Sequence, residues 1–562
     1  MKTLQRWVPG YTTVREYQPA WLRSDLVAGV VLACILVPQG MAYAELAGLP
    51  PVTGLYTTIA CLVAYAILGP SKVLVLGPDS SVSPLILASI TPLLAGGDAS
   101  TAIALAGMLA LLVGLIEIGL GLAKLGFVAD LLSSEVRVGY LNGLAVTIIV
   151  GQIPKLLGFS IDADGFFEEV GAIFTNLDET QTATLVTGLA VLGVLLFLPR
   201  VTRVIPAVLV AVVGATIVSA VFDLSSHGVA TVGTLPEGIP TPSFPWTNFS
   251  DLGELLAGAA GITLVSLTDT IATSSAFAAR RGDDVDPDQE MIGVGASNIA
   301  AGFFQGFAVS VSSSRTAVAD QAGAKSQVTG LVGAGLVAIL LIFLNGLLAD
   351  LPQTALAAVV ISAALSLLDW KALRRFAQVR PSAVVISLVA SAGVIVFGVL
   401  EGIVLAIILA ILLFFRRSWW PHGAVLGRTE GIGGWHSIRD YPDSRQIDGI
   451  VVFRWEAPLF FANSGQFRRQ IQSIVHESHP RWIVLQCEAM TDVDVTAAEV
   501  LRELDEDLNA DGIHLAFVEM RSRLQDLVVR YGLFDTLDRD HFYPSIEDAL
   551  ADIEATGETE AG

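Results

Sequence analysis

Cysteine is scarce in this chain: three in 562 residues, at Cys34, Cys61 and Cys487. Two of them fall in apolar runs, so neither a disulfide framework nor a cysteine-based zinc site is indicated. Charge is also scarce. Charged residues make up 15% of the chain, against about 25% in an ordinary soluble domain. No nucleophile–base pair and no metal-ligand cluster can be picked out, so the sequence gives no support to an enzyme or an organic cofactor. Residues 1–24 are polar and basic, with no short apolar stretch ending in a small-residue cleavage site, so no removable signal is expected. Lys and Arg are absent from Phe222 to Glu254, and Lys is absent from Trp435 onward.

What is present is apolar length. Hydrophobic residues make up 53% of the chain and the mean hydropathy is +0.65. Runs such as "LVAILLIFLNGLL", "AVVISLVASAGVIVFGVL" and "GIVLAIILAILLFF" recur through the first three quarters. A span needs roughly 17–25 such residues, so the chain reads as a polytopic α-helical membrane protein. Fourteen segments are expected, several of them short, centred near residues 32, 62, 87, 110, 145, 190, 212, 267, 296, 318, 338, 360, 391 and 408. Basic residues collect in alternate loops: Lys2, Arg6, Arg15 and Arg23; Lys72; Lys124; Arg200 and Arg203; Arg280 and Arg281; Lys325; Lys371, Arg374, Arg375 and Arg380; Arg416 and Arg417. The other loops are nearly free of them; "DADGFFEEV" is acidic and Lys155 is the one mild exception. By the positive-inside rule both termini then lie in the cytoplasm, in a multi-pass protein of the cell (inner or plasma) membrane.

Four divisions follow: a cytoplasmic segment 1–24, a transport domain 25–417, a linker 418–434 carrying the Trp419–Trp420 pair, and a tail domain 435–557. In the tail, "GIVVFRW", "WIVLQCE" and "IHLAFVEM" read as strands, and "SGQFRRQIQSIVHE", "TAAEVLRELDEDLNA" and "SRLQDLVVRYG" as helices, which makes a small α/β domain. From Trp435 on there are 25 Asp and Glu against 11 Arg, a balance of −14 within the chain's −22. Such acidity argues against nucleic acid or anionic lipid as a partner of this domain.

Chemistry collects in two places. Span one, "LVAGVVLACILVPQGMAYAELAGLPP", carries Pro38, Gly40 and the polar Gln39, and is expected to be broken there, with Tyr43 one turn further on. Span three opens on "LGPDSSVSPLILASI", and span ten on "FAVSVSSSRTAVADQAG". Seven spans apart, each has an extended polar lead-in and then a helix start rich in Ser: Asp79, Ser80, Ser81 and Ser83 in one, Ser310, Ser312, Ser313, Ser314 and then Arg315 in the other. Span eight, "AGITLVSLTDTIATSSAFAA", is the counterpart of span one and carries Asp269 and Thr273. Repeats of an odd number of spans must be inverted in the membrane, and short interrupted helices at matching positions mark a secondary transporter's site. Two helix starts facing one cavity present free N–H groups and positive dipole ends, which is an anion site. The serines add donors and Arg315 adds a full charge.

The chain resembles the sulfate permease family of anion transporters, which includes the mammalian multifunctional anion exchangers and prestin. The most specific stretch is "LVPQGMAYAELAGLPPVTGLYTT", continued through "PVTGLYTTIACLVAYAILGPSK". Thr53 stands where a Tyr is usual and Pro70 where a small residue is usual. "DPDQEMIGVGASNIAAGFFQGF" and "SSSRTAVADQAGAKSQVTG" resemble the same family around spans nine and ten. The tail resembles a STAS domain, the module shared with anti-sigma-factor antagonists; their phosphorylated serine turn is represented by "DVDVTAA", with Asp494 and Thr496 but without the turn's glycine. The resemblance implies a 7+7 inverted repeat, a core of spans one to four and eight to eleven that moves against a gate of the remaining spans, and a homodimer.

The expected roles follow. Gln39, Tyr43, Ser80, Ser81, Ser312, Ser313, Ser314 and Arg315 bind substrate, with Arg315 as the main fixed charge facing it. Asp79 caps span three. Asp269 is either a coupling group or a structural partner of Arg315. As a lone acid in mid-span it suits a proton, while Asp269 with Thr273 one turn on matches the sodium pair of bicarbonate-moving relatives. Thr496 is a regulatory candidate. The expected activity is uptake of a small inorganic anion coupled to a cation, with sulfate and a proton favoured. Sodium-coupled bicarbonate uptake, dicarboxylate transport and chloride or anion exchange are the alternatives. A channel or voltage-sensing motor would need no coupling acid, and a signalling receptor would leave the serine run and Arg315 without a purpose.

Overall fold

The computed structural model describes residues 8–94, 98–126, 133–161, 163, 165–202, 206–246, 248–533 and 537–555. Lys2, Arg6, Arg203, Asp162, Asp164 and the last residues of the tail lie outside them. The chain separates into two compact units, 1–410 and 411–562.

The first unit is helical, and its last helix runs on past residue 410. Its main helices are α1 Leu22–Leu46, α2 Pro51–Leu68, α3 Ser83–Leu94, α4 Ala99–Leu122, α5 Ser134–Leu157, α6 Thr182–Val201, α7 Ala207–Phe222, α8 Leu252–Arg281, α9 Pro287–Phe303, α10 Ser313–Gln321, α11 Val328–Phe343, α12 Gln353–Leu367, α13 Trp370–Val379, α14 Pro381–Phe397 and α15 Val399–Trp419. Each of the fourteen expected centres falls inside one of these helices. Among the described residues, eight helices are long and apolar enough to cross a membrane, and four more are apolar but shorter. Further helices lie at Pro9–Glu16, Phe166–Thr175 and α13; α13 carries Lys371, Arg374 and Arg375 on one face and buries Phe376 on the other, which is the pattern of an interfacial helix.

Two helix sets can be told apart by what packs on what. In the first, α9 lies along α4 and α2, α11 along α1 and α2, and α8 along α4 and α3. In the second, α14 and α12 lie along α5, and α6 lies against α12 and α7. The sets meet where α1 runs beside α12 and α7. Interfaces within the first set are built on small residues. A Cβ on Gly54 of α2 would overlap the Gly40 carbonyl of α1. That close crossing is what the glycines permit in a membrane, where helices gain little from hydrophobic burial and associate by fit.

Span one is continuous rather than broken: Pro38 sits inside an uninterrupted α1. A proline in mid-helix removes one hydrogen bond. Here α1 is packed by α2, α11 and α12, and Gly40 marks the close contact with α2 rather than a break.

The real interruptions are in spans three and ten. Before α3 the chain forms a two-residue strand, β1 Leu76–Gly77, and before α10 another, β2 Ser310–Val311. They pair antiparallel, Leu76 with Val311 and Gly77 with Ser310. Ser312 N–H donates to Val75 O at 3.1 Å and Val75 N–H to Thr316 Oγ1 at 3.1 Å, extending the tie. Backbone groups in extended lead-ins have no helical partners, and at membrane depth they must find partners within the protein. Here each lead-in satisfies the other.

The second unit is an α/β domain. A six-stranded sheet has the order β4–β3–β5–β6–β7–β8, built from β3 Gly423–Arg428, β4 Trp435–Ser437, β5 Ile450–Trp455, β6 Trp482–Gln486, β7 His514–Val518 and β8 Phe542–Tyr543. Strands β5 to β8 are parallel, while β3 pairs antiparallel with β4 and β5. Three helices, α16 Ser464–Ser478, α17 Val495–Ala510 and α18 Ser522–Arg530, bury Phe467, Leu501, Leu504 and Leu524 against one face. On the other face α19 Ile546–Ala555 buries Ile546, Leu550 and Ile553. Strand β6, "WIVLQ", is buried throughout, as a central strand covered on both faces must be. The stretch expected as linker, 418–434, contains β3, because Val425 and Leu426 register against Phe453 and Val452.

Candidate functional site

A cavity of about 860 Å³ opens between the two helix sets. One wall comes from the first set: Gln39 and Tyr43 of α1, Asp79, Ser80 and Ser81 before α3, Asp269 of α8, and Val311 to Ser314 at the start of α10. The facing wall comes from the second: Arg137, Val138 and Leu141 of α5, Ser362 and Ser366 of α12, and Asp369, Trp370 and Lys371 at the start of α13. Seven of the eight expected substrate residues therefore line one space, together with Asp79 and Asp269.

The β1–β2 ladder is what brings the two polar helix starts together. Asp79 closes the start of α3: its Oδ1 accepts the Ser81 N–H at 3.0 Å, and its carbonyl accepts from Ser83 N–H at 3.0 Å. The Ser81 hydroxyl stands 2.9 Å from Asp79 Oδ1 and 3.0 Å from Asp269 Oδ2. At the start of α10, Ser312 and Ser314 hydroxyls are 3.2 Å apart, and Ser313 Oγ is 2.5 Å from Thr273 Oγ1. Thr273 thus sits one turn from Asp269 behind Ser313, off the cavity wall. Among the described residues no group of three or more His, Cys, Asp or Glu could hold a metal ion.

Arg315 is placed differently from its expectation. It is 1% exposed and is not on the cavity wall. Its Nη2 lies 3.7 Å from Asp79 Oδ2, and a side chain at Gly77 would stand 2.9 Å from its Nη1. A helix turns about 100° per residue. With Ser312 to Ser314 facing the cavity, the next side chain turns inward, under β1. Asp79 is its ionic partner on the cavity wall. In its place the cavity wall holds Arg137, near enough to Asp269 for their charges to interact and not singled out by the sequence. The signal was a basic residue in the first turn of span five, which reads equally well as a positive-inside marker.

Behind the wall a second buried acid supports the site. Glu117 of α4 accepts from Ser266 Oγ of α8 and from Asn298 Nδ2 of α9, each at 2.8 Å, and Asn298 Oδ1 accepts the Val309 N–H at 2.8 Å. Three helices thereby grip the residue just before β2. In the tail, Thr496 is exposed in the first turn of α17, whose start is capped by Asp494 accepting from Ala497 N–H at 2.8 Å.

Residues 22–390 match the model of the sulfate permease family, and residues 441–549 that of the STAS domain. The chain belongs to the sulfate permease family. A probable sulfate transporter of Mycobacterium tuberculosis is 42% identical over 97% of this chain and 97% of its own length. Solute carrier family 26 member 6 of Homo sapiens is 32% identical over 82% of this chain and 63% of its own. Among solved structures, the murine solute carrier 26 family member A9 anion transporter in the inward-facing state superposes with a TM-score of 0.91, covering 99% of this chain and 95% of that one. At 24% identity that likeness is one of fold: a polytopic helical membrane domain followed by a STAS domain. Membership of the permease family makes the chain an anion transporter.

Proposed function

We infer that the chain takes up a small inorganic oxyanion, sulfate above all, together with a proton, across the cell membrane with both termini in the cytoplasm. The first helix set, α1–α4 with α8–α11, is the moving core of an inverted repeat, and the second set is the gate. Lys371, exposed on the cavity lining, belongs to the basic group expected on the cytoplasmic side, which supports reading the arrangement as an inward-open step of an elevator-like cycle. As in the resemblance, the assembly is read as a homodimer. The relative named as a probable sulfate transporter supports sulfate.

The observation that carries the coupling is the Ser81 hydroxyl between two carboxylates, 2.9 Å from Asp79 and 3.0 Å from Asp269. A hydroxyl has one proton to donate. Both contacts are hydrogen bonds only when one acid carries a proton of its own. Asp79 already accepts the Ser81 N–H and lies beside Arg315, which suits its anion. The proton then belongs on Asp269, donated to Ser81, which donates to Asp79. With that proton in place the pocket presents hydroxyls and helix-start N–H groups to an anion; without it, a second carboxylate repels the substrate. Anion and proton therefore load together.

Uptake of labelled sulfate into proteoliposomes, with unlabelled sulfate, bicarbonate, chloride and succinate as competitors, ranks the substrates. Sulfate is expected to compete best. Replacing sodium by choline is expected to leave uptake unchanged. A sodium requirement with bicarbonate preferred would favour the alternative in which Asp269 and Thr273 hold the cation.

A further inference from the structure

The facing wall of the cavity holds charge that the proton-coupling scheme leaves unused. Of the acidic and basic side chains lining the space, Asp79 and Asp269 belong to the core, and Arg137, Asp369 and Lys371 to the gate. Asp79 is matched by Arg315 behind it. Asp369 is tied to the start of α13, where its side chain accepts from Ala372 N–H at 2.8 Å and its backbone N–H donates to Asn142 Oδ1 at 2.9 Å. Arg137 is half-buried on α5. Its side chain makes no hydrogen bond and no ion pair within 4 Å among the described residues. With Asp269 carrying the proton, as in the uptake reading above, the core wall supplies dipoles and donors with no net positive charge of its own, and the half-buried Arg137, then without a carboxylate partner, stands opposite together with the exposed Lys371.

We propose that Arg137 is a specificity-determining residue: a guanidinium of the gate that meets the anion across the cavity and favours a divalent oxyanion over a monovalent one. This rests on the anion-uptake reading above. A planar guanidinium with five donors suits a tetrahedral oxyanion, whose oxygens it can bond in pairs. A divalent anion interacts with a fixed charge about twice as strongly as a monovalent one. Arg137 rides on the gate while Ser81 and Ser312 to Ser314 ride on the core, so the contact belongs to the inward-open step. When the core moves, the anion leaves Arg137 behind. The residue then raises affinity on one side of the membrane and is released from the anion on the other, which gives the two faces of the transporter different affinities.

The test uses purified full-length protein and its Arg137→Gln and Arg137→Lys variants, with thermal unfolding to verify that each is folded. Calorimetric titration with sulfate and with chloride gives the affinities. Transport assayed separately from each face in oriented proteoliposomes gives the half-saturating concentrations. For Arg137→Gln we expect sulfate binding weakened about ten- to a hundredfold and chloride weakened much less. The half-saturating sulfate concentration should rise on the cytoplasmic face and hold steady on the other, and Arg137→Lys should recover part of the sulfate affinity. A merely structural arginine would change stability and would not change the sulfate-to-chloride ratio or the difference between faces. Folded Arg137→Gln protein that binds sulfate as wild type overturns the proposal and leaves anion uptake standing. Equal losses for sulfate and chloride on both faces overturn it too. Wild-type protein that binds no anion overturns both readings.

Discussion

Ser81 Oγ lies 3.0 Å from Asp269 Oδ2, joining residues 188 positions apart in the chain. The same hydroxyl lies 2.9 Å from Asp79. A helix start from the first half of the membrane unit and a mid-helix acid from the second are thus linked by one side chain, at the wall of the cavity.

Ser81→Ala removes that link, while Ser80→Ala removes a hydroxyl from the same cavity without touching either acid's contact with Ser81. The two variants are expected to part. Ser80→Ala should weaken anion binding by about 1 kcal/mol and leave accumulation driven by a pH gradient in proportion to binding. Ser81→Ala should lower accumulation by more than its effect on binding accounts for. Measuring affinity and gradient-driven uptake on the same preparations separates them. Identical ratios of uptake to affinity in both variants would remove Ser81 from the coupling.

Arg315 is a buried cation whose ionic neighbour is Asp79 at 3.7 Å. Removing one partner of a buried pair leaves the other charge stranded, at a cost on the order of 3 kcal/mol. Arg315→Gln is therefore expected to lower the thermal unfolding temperature of the purified protein, and Arg315→Gln combined with Asp79→Asn to recover part of the loss. A double-mutant cycle reads the coupling directly. Additive effects would mean that the two side chains do not interact.

The tail offers a pH dependence outside the membrane. Asp505 on α17 is pushed up to about 6, mainly by burial and further by the nearby Asp538 and Glu506 carboxylates. A carboxyl raised in the folded state binds its proton more tightly there than in the unfolded chain. Its contribution favours the fold at acid pH and declines as pH rises from the ordinary carboxylate range, about 4, through that raised value. Asp505→Asn is expected to stabilise the STAS domain at pH 7 to 8 and to make no difference near pH 4. Denaturant unfolding of the full chain, followed by a probe in the tail, reads this. A stabilisation of the same size at both pH values would contradict it.

The helices were legible in the sequence because an uncharged apolar run of span length has little use outside a membrane-crossing or fully buried helix, and each expected centre lies in a helix. The two polar helix starts could also be located, since Gly, Pro, Asp and Ser ahead of an apolar run are local signals. Direction and register could not be read in the same way. Whether Arg315 faces the cavity or β1 depends on a rotation of one residue at the start of α10, fixed by the pairing of Gly77 with Ser310 across the two halves of the chain. Pro38 looked like a break because the local penalty is visible in sequence and the packing that contains it is not. Strand β3 was hidden in "HGAVLGR", whose alternation is short and whose partner, β5, is more than twenty residues further on. Arg137 was overlooked because its role depends on a facing wall that only the tertiary arrangement supplies.

The most direct test of proton coupling is sulfate accumulation in proteoliposomes under an imposed inward proton gradient, comparing wild type with Asp269→Asn. Asparagine keeps the shape of the side chain and removes the group that holds the proton. Wild type is predicted to concentrate sulfate above equilibrium. In Asp269→Asn the gradient should no longer drive accumulation, while sulfate exchange across the membrane survives. Undiminished gradient-driven accumulation in Asp269→Asn would contradict the coupling role of this acid.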